Sequence, residues 1–367
     1  MQNLEVTPDF GYTEEVGLLR QSARDFLANH AGVDALRKRI GARVLHEGAG
    51  TRASELDGST HRQLCELGWL GIDLPEAAGG AEMGTLALAV LVEQMGEALL
   101  CGPFLVCSLA ARAIAEGGSD AQRAEWLPAL LSGHDITTVA LSEADGSWGP
   151  DQVQTQTVKV GSERKISGVK THVEWARQAS HVLVPSRDEE GTLALYRVAL
   201  DAPGVSVQDE VCVDLGRQTC RVSLQEVVVD EQQRLGGDAR SLLRDLHARG
   251  WLLLAAEALG GAETCLEITR QYAIDRIQFG KPIGAFQAVK HPIVNVMIAC
   301  ENSRSLVYAA AAASGQPAFE SLARMAKACA SEAYNFATDR GVQLHGGFGF
   351  TWDCDIHFHY KRALWIN

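Results

Sequence analysis

The segment WLLLAAEALGG, residues 251–261, is apolar on nearly every side of a helical wheel. A helix with that pattern is buried on several sides instead of lying on a surface. Two further apolar stripes at helical spacing follow it, and long helices joined by short links predict a helix bundle. The stripes are Phe286, Val289, Ile293 and Val296, and Leu322, Met325, Cys329 and Phe336.

The stretch before this helix, from about residue 136 to residue 230, changes to the period of β-strands. Its apolar segments are short, rich in β-branched residues and bounded by Gly, Pro or Asp, which is typical of an antiparallel sheet. A long loop near DGSWGPD (145–151) interrupts them. The segments are VQTQTVKV (153–160), HVLV (181–184), LALYRVAL (193–200) and CRVSLQEVVV (220–229).

The first part of the chain has the helical period. Thr13 can cap a helix, and the acidic pair Glu14 and Glu15 is favourable in its first turn. LGWLGIDLPEAAGG (67–80) contains Gly and Pro, which predicts a connection to a second helical run over 86–100.

Together these patterns predict an α+β multidomain chain. We expect an N-terminal α-helical domain over residues 1–132, a middle antiparallel β-barrel domain over 133–236 and a C-terminal four-helix bundle over 237–367. We expect the functional site where the domains meet, because binding clefts form preferentially at domain interfaces.

Composition and charge argue against some classes of partner. The 367 residues are 46% hydrophobic and carry a formal net charge of -13. So acidic a chain is not expected to bind nucleic acid or an anionic membrane surface. The apolar runs fall short of the roughly 18 residues that a membrane-spanning helix needs. The start, MQNLEVTPDF, lacks the pattern of a secretory signal, so we expect a cytoplasmic protein without membrane insertion.

Three motifs resemble the acyl-CoA dehydrogenase family and follow its order over almost the whole chain. They are LGWLGIDLPEAAGG (67–80), DRIQFGKPIGAFQAVKHPI (275–293) and GVQLHGGFGFTW (341–352). The resemblance implies an FAD-dependent enzyme that removes the α-proton and β-hydride of an acyl-CoA thioester. Electrons would pass to an electron-transferring flavoprotein, although an oxidase that uses oxygen is left open. It also implies a homo-oligomer, or a hetero-oligomer with a related subunit, in which one subunit's flavin touches its neighbour.

RIQFG (276–280) is the first candidate cofactor site. As structure alone, it is a turn between two helices. A guanidinium forms the favoured fork for a phosphate, and an amide can donate beside it. The resemblance implies that Arg276 and Gln278 contact the FAD pyrophosphate of the neighbouring subunit and that Phe279 packs against the flavin side.

QLHGG is the second candidate, at the end of a predicted helix. Gly346 can stop the helix in a positive φ conformation, and adjacent glycines also let the backbone approach a cofactor. The resemblance implies that four residues lie along the ADP part of FAD. They are Gln343, His345, Gly346 and Gly347.

Two middle-domain segments depart from the family. LSEADGSWG (141–149) stands where the family has TEPxxGSD, and HVE (172–174) stands where it has W-I-T. In the family these segments cover the flavin ring and hold CoA. Ser142 is expected to keep one hydroxyl contact with the cofactor, and Trp148 or Trp175 either covers the ring or is a core aromatic.

Asp353 is the candidate catalytic base. Aligned on the family motif, GFGFTWD puts it where many members carry a glutamate. Abstraction of a thioester α-proton needs a desolvated base aimed at that proton. Aspartate withdraws the carboxylate by about 1.5 Å, one C–C bond, and a misplacement of about 1 Å can cost roughly 10²-fold in rate. Asp355 could serve instead, whereas Gly250 fills the family's alternative position. Two interpretations stay open: Asp353 is the base, or the chain is a non-catalytic or weakly catalytic FAD-binding subunit of a heteromeric enzyme.

The acids and histidines that follow raise the question of a metal. A helix could put Asp355 and His359 on one face, but His357 could not join them. We therefore predict no metal site. TWDxDxHxHYKR also resembles a bacterial branch of the family that degrades bulky acyl-CoAs, including steroid side chains. Some members of that branch pair a subunit that carries the base with one that lacks it.

Overall fold

The computed structural model describes residues 10–46, 58–161 and 163–367. The N-terminal part is helical, as predicted, and the Thr13 side chain caps the first helix by accepting from the Val16 amide. The connection predicted at 67–80 forms two short 3-10 turns. The helices are α1 (Glu14–His30), α2 (Val33–His46), α3 (Gly58–Glu66), α4 (Gly84–Glu97), α5 (Phe104–Gly117) and α6 (Asp120–Leu131).

The middle part is a curled sheet that forms a half-barrel. Its path is β1-β5-β3-β4-β8-β7, and β2 and β6 pair with β4 and β5. Most pairs are antiparallel, as predicted, but β5 runs parallel to β1 and to β3. The strands are β1 (Thr137–Val139), β2 (Ser142–Glu143), β3 (Gln156–Val160), β4 (Glu163–Glu174), β5 (His181–Arg187), β6 (Leu193–Ala199), β7 (Val205–Asp209) and β8 (Thr219–Val229).

The C-terminal part is a bundle of four helices, as predicted. The first of them contains the apolar segment 251–261, in which every residue from Ala255 onward is buried. A short hairpin joins the first two helices. The elements are α7 (Ala239–Asp275), β9 (Ile277–Gln278), β10 (Lys281–Pro282), α8 (Gln287–Ala312), α9 (Phe319–His345) and α10 (Ile356–Ile366). The boundaries proposed near residues 132 and 236 stay predictions.

The apolar stripe predicted on α9 is wrong about which face is buried. Met325 is 54% exposed and Phe336 is 36% exposed. The buried face is turned by one residue and carries small side chains, because α9 packs closely against both α7 and α8. That face contains Ala323, Ala326, Ala330, Ala333, Tyr334 and Ala337.

The helices α4 and α7 cross at a pair of glycines. A Cβ atom added at Gly96 would collide with the Glu257 carbonyl, and one added at Gly260 would collide with the Glu93 carbonyl. The two backbones therefore touch directly, which only glycine permits. This close contact fixes the position of Glu257 relative to α4.

Over the ranges that the structure describes, no helix combines the length and the apolar character needed to cross a bilayer.

Candidate functional site

The segment RIQFG forms an exposed hairpin at the end of α7. Ile277 and Gln278 pair with Pro282 and Lys281 across a two-residue turn. Both turn residues have positive φ, 54° at Phe279 and 76° at Gly280, as in the tight turns that favour hairpins. Positive φ is uncommon for a bulky residue, and Phe279 is also 90% exposed. The hairpin therefore presents an aromatic side chain at its tip.

The polar side chains of this hairpin have few partners within the chain. The Arg276 side chain is exposed and forms no ion pair or hydrogen bond with any residue in the described ranges. The Gln278 amide donates only to the carbonyl of its neighbour Ile277, at 2.8 Å. Both side chains are thus available to a phosphate outside the chain.

His345 connects the end of α9 to α7. Its ring is buried, stacks on Tyr272 with centroids 4.2 Å apart, and bonds through Nδ1 to the Gly341 carbonyl at 2.8 Å. Burial lowers the pKa of His345, which keeps the ring neutral. Because Arg276 is one helical turn after Tyr272, the stack holds the hairpin beside the glycine loop.

Gly346 and Gly347 are exposed and form the bend after α9. Gly346 has φ of +63°, and a Cβ atom added at either glycine would meet no other atom within 4 Å. The backbone is therefore open to an approaching ligand. Gln343, one turn earlier, is also exposed. All four residues predicted for the ADP part of FAD lie at one end of the bundle, but the His345 ring points into the packing against α7.

Asp353 lies in the exposed turn before α10. The Arg37 guanidinium, from α2, donates to the carbonyls of Trp352 at 3.2 Å and Asp353 at 3.1 Å, and it pairs with the Asp355 carboxylate. The Asp353 carboxylate itself makes no hydrogen bond to any described residue. It is not in the buried setting that a base for a weak carbon acid requires.

The histidines after this turn belong to the core. His359 is fully buried, its Nδ1 bonds the Tyr334 hydroxyl at 2.8 Å, and burial lowers its pKa to about 3. His357 is also buried, and its ring lies tilted against that of Phe358, with the centroids 3.9 Å apart. Within the described ranges, one cluster of carboxylates is spaced closely enough to hold a metal ion, but each of its members pairs with an arginine. Its members are Glu93, Glu97 and Glu263.

An aromatic and cationic patch lies between the loop 145–151 and the bundle. Trp148 is 45% exposed and meets Trp251 of α7 edge to face at 5.2 Å. The Arg324 guanidinium of α9 is 4.1 Å from the Trp251 ring centre. Beside them His247 is buried, and its Nε2 atom has no partner. Ser142, half-buried in β2, forms an isolated antiparallel β-bridge with Trp148 through the backbone. Sequence reasoning missed this patch because its members come from three distant segments.

The end of β4 is linked to the bundle by an ion network. Glu174, in the segment HVE, accepts from Arg217 at 3.1 Å. Arg217 also pairs with Glu257 of α7, and Glu257 pairs with Arg362 of α10, which in turn pairs with Asp214. Glu174 is mostly buried and the other four are almost fully so. We call these five residues the interdomain ion network.

Burial sets the protonation of this network. It raises the pKa of the Glu174 carboxyl, against the effect of Arg217. For Arg362, burial acts to lower the pKa, but Asp214 and Glu257 raise it well above its ordinary value, so the guanidinium stays charged. The two guanidiniums therefore offset the burial of the acidic groups beside them, in a site that is mostly shielded from water.

Comparison with known proteins gives matches over nearly the whole chain. The model for the acyl-CoA dehydrogenase N-terminal domain matches residues 13–134, and the model for the C-terminal domain matches residues 247–366. Acyl-CoA dehydrogenase IpdE2 of Mycobacterium tuberculosis is 32% identical over 352 residues, which cover 95% of this chain and 91% of that protein.

Two solved structures have a similar fold and come from paired proteins. The Tcur3481–Tcur3483 steroid ACAD G363A variant aligns with a TM-score of 0.84 and 33% identity, over 96% of this chain and 92% of that one. The ChsE4–ChsE5 complex from Mycobacterium tuberculosis aligns with a TM-score of 0.84 and 29% identity, over 98% and 93%.

Proposed function

The chain belongs to the acyl-CoA dehydrogenase family, and on that premise we propose that it acts in the FAD-dependent α,β-dehydrogenation of an acyl-CoA in the cytoplasm. In this proposal it is one subunit of an oligomer. The hairpin and the glycine loop contact the diphosphate and ADP parts of an FAD whose ring lies in a neighbouring subunit. FAD, when bound, accepts the hydride, and the electrons then pass to an electron-transferring flavoprotein.

One observation carries this proposal. The stack of Tyr272 on His345 holds two motifs, distant in the sequence, side by side at an exposed end of the bundle. An unpaired guanidinium, a side-chain amide and an open glycine backbone are the donors that a diphosphate needs. The apolar tip at Phe279 supports a site that is completed by a second subunit, because exposed apolar patches mark interfaces.

We assign the CoA part of the substrate to the patch of Trp148, Trp251 and Arg324. Aromatic faces suit an adenine, and a guanidinium suits a phosphate. The buried, unpartnered Nε2 of His247 suits an amide N–H, of which the pantetheine arm has two.

We propose that the acyl group is bulky and steroid-like. The motif TWDxDxHxHYKR and the similarity to the structure of a steroid ACAD support this.

The test is the change Arg276→Ala, with Arg270→Ala as the matched control. Arg270 is an exposed arginine of α7, the helix that leads into the hairpin, and it pairs with Glu267. Loss of a hydrogen bond to a charged group is worth about 1.5–3 kcal/mol, so FAD should bind roughly 10- to 100-fold more weakly to the Arg276→Ala assembly. The control should keep its flavin. Equal flavin retention by both variants after dialysis would disprove the assignment.

A second candidate function is a subunit that contributes to the cofactor site but has no catalytic base. The exposure of Asp353 favours it, and so does the similarity to paired proteins. The test is anaerobic bleaching of the flavin by straight, branched and steroid-derived acyl-CoAs. If Asp353 is the base, Asp353→Asn abolishes bleaching and Asp353→Glu keeps or raises it. If the chain has no base, both variants bleach at the unchanged rate.

A further inference from the structure

We propose that Arg37 is a positioning residue for Asp353: its guanidinium holds the turn that carries the base, and so fixes where the carboxylate meets the substrate. The inference rests on the proposed function, because it takes Asp353 as the base. It gives a role in the reaction to α2, whose Arg37 lies 316 positions before Asp353 in the sequence.

A single guanidinium contacts three residues of the turn 352–355. The Nε atom of Arg37 donates to the Trp352 carbonyl at 3.2 Å, and Nη2 donates to the Asp353 carbonyl at 3.1 Å and pairs with the Asp355 carboxylate. The remaining nitrogen, Nη1, donates to Asp34 of the same helix at 3.1 Å. The rigid fork thus holds two successive peptide carbonyls at once, which the point charge of a lysine does not do.

The other hydrogen bonds of this turn are local in sequence. The Thr351 amide and hydroxyl both donate to the Phe348 carbonyl, at 3.0 and 2.7 Å, and the Cys354 amide donates to the Thr351 carbonyl at 3.1 Å. Among the hydrogen bonds that join described residues, those of Arg37 alone tie residues 349–355 to a distant part of the chain. Removing Arg37 therefore frees the turn to move with respect to α2.

The helix that carries Arg37 is itself anchored. Leu36 and Ile40 are buried and pack in one cluster with Leu99 and with Phe358 of α10. The guanidinium carbon of Arg37 lies 5.4 Å from the centre of the Phe358 ring, and the side chain is only 21% exposed. Partial shielding from water strengthens its polar contacts relative to those of a fully exposed arginine.

The short side chain of Asp353 makes the backbone position decisive. A single methylene joins the carboxylate to Cα, so the carboxylate follows the turn, whereas a glutamate has one more rotatable bond with which to re-aim. A misplacement of about 1 Å can cost roughly 10²-fold in rate. Asp353 is also exposed, so packing around the carboxylate does not hold it. The Arg37 contacts supply the accuracy that the side chain lacks.

The test is anaerobic flavin bleaching of the flavin-containing assembly, with the straight, branched or steroid-derived acyl-CoA that bleaches the unchanged protein fastest. Arg37→Gln removes the fork, and Lys38→Gln, at the next and exposed position of α2, is the control. We expect Arg37→Gln to lower the saturating bleaching rate about 100-fold, while the half-saturating acyl-CoA concentration and the flavin content change by less than about threefold. The control should keep the full rate.

Two further variants separate positioning from a general loss of structure. Arg37→Lys keeps the charge but not the fork, so we expect it to stay slow. In an Asp353→Glu background the longer arm should limit the effect of Arg37→Gln to about tenfold or less. A full rate with Arg37→Lys, an equal loss in both backgrounds, or a loss of flavin that explains the whole loss of rate overturns the inference. If Arg37→Gln does not fold, Arg37→Lys replaces it in the comparison of backgrounds.

The same assay distinguishes this inference from the proposed function. If Asp353→Asn abolishes bleaching but Arg37→Gln does not slow it, the base stands and the positioning role fails alone. If Asp353→Asn bleaches at the unchanged rate, or if no acyl-CoA bleaches the unchanged assembly, the base assignment fails and the positioning role fails with it. The assignment of the FAD diphosphate is tested separately by Arg276→Ala.

Discussion

Replacing Gly260 with alanine should destabilise the protein far more than the same change at Gly250 in the same helix. An added Cβ at Gly260 would overlap the Glu93 carbonyl oxygen and lie 2.8 Å from its carbon and 2.9 Å from the Glu97 nitrogen. At Gly250 the nearest atom would be the Leu109 Cδ1, at an ordinary 3.8 Å.

The magnitude follows from those contacts. Backbone atoms cannot rotate away, so α4 and α7 must separate by about 1 Å, and a gap of that size forfeits up to half of each dispersion contact along the crossing. Overpacking of a core costs about 1–3 kcal/mol, and the lost contacts put Gly260→Ala at or above the upper end of that range. Gly250→Ala should instead stabilise by up to about 1 kcal/mol, the helix propensity difference.

Thermal unfolding followed by circular dichroism measures the difference. A loss of about 3 kcal/mol lowers Tm by roughly 6–12 °C, at 2–4 °C for each kcal/mol, whereas Gly250→Ala should leave Tm unchanged or raise it. Because the crossing also fixes Glu257, Gly260→Ala should loosen the interdomain ion network. Equal Tm values for the two variants would refute the close approach of α4 and α7.

Two further changes test single residues. Burial raises the folded-state pKa of Glu174 above its ordinary value of 4.5, so the contribution of this carboxyl to stability is complete below about pH 4.5 and is lost as pH rises through the folded pKa. Glu174→Gln should therefore become more stable relative to the native chain as pH rises from about 5 to about 8. A pH-independent difference between the urea midpoints of the two proteins would contradict this. Gly346 has φ of 63° and ψ of -142°, a combination that essentially only glycine adopts. Gly346→Ala should therefore cost about 1–3 kcal/mol, while Gly347→Ala, whose Cβ would also meet open space, should be near neutral in Tm. Equal losses would show that the backbone conformation at Gly346 is not the cause.

The order of helices, sheet and helices could be predicted because each part has its own period. The segment 251–261 is apolar over several turns, so no choice of face was needed. On α9 a choice of face is needed, and the size of Met325 and Phe336 favours the wrong one. The buried face instead uses alanine, since three helices meet there, and hydrophobicity alone favours the larger side chains that close packing excludes.

Strand β4 was missed for a related reason. Its sequence, ERKISGVKTHVE, is mostly polar, and the fully buried Lys170 is tolerated only because Glu143 pairs with it. Because the buried Lys170 is charged, this strand lacks the alternation of apolar and polar residues by which a strand is predicted.

The candidate site was predictable only where it is local in sequence. RIQFG and QLHGG each lie within a few residues, so their turns and exposed donors could be inferred. The interdomain ion network joins residues from β4, α7, α10 and the loop before β8. No single stretch signals that Glu174 and Arg217 face Glu257, because their meeting depends on how the middle sheet is placed on the helix bundle.

The exposed tip at Phe279 has a consequence for the amount of this protein in a cell. If, as proposed, another subunit covers this tip, a copy that has not met that partner displays the aromatic side chain, with Ile277 and Phe350 also exposed. Apolar surface of this kind is what chaperones and proteases act on. Newly made chains in excess of the partner should therefore be removed, so that the level of this subunit follows the level of its partner even when its own transcript is abundant.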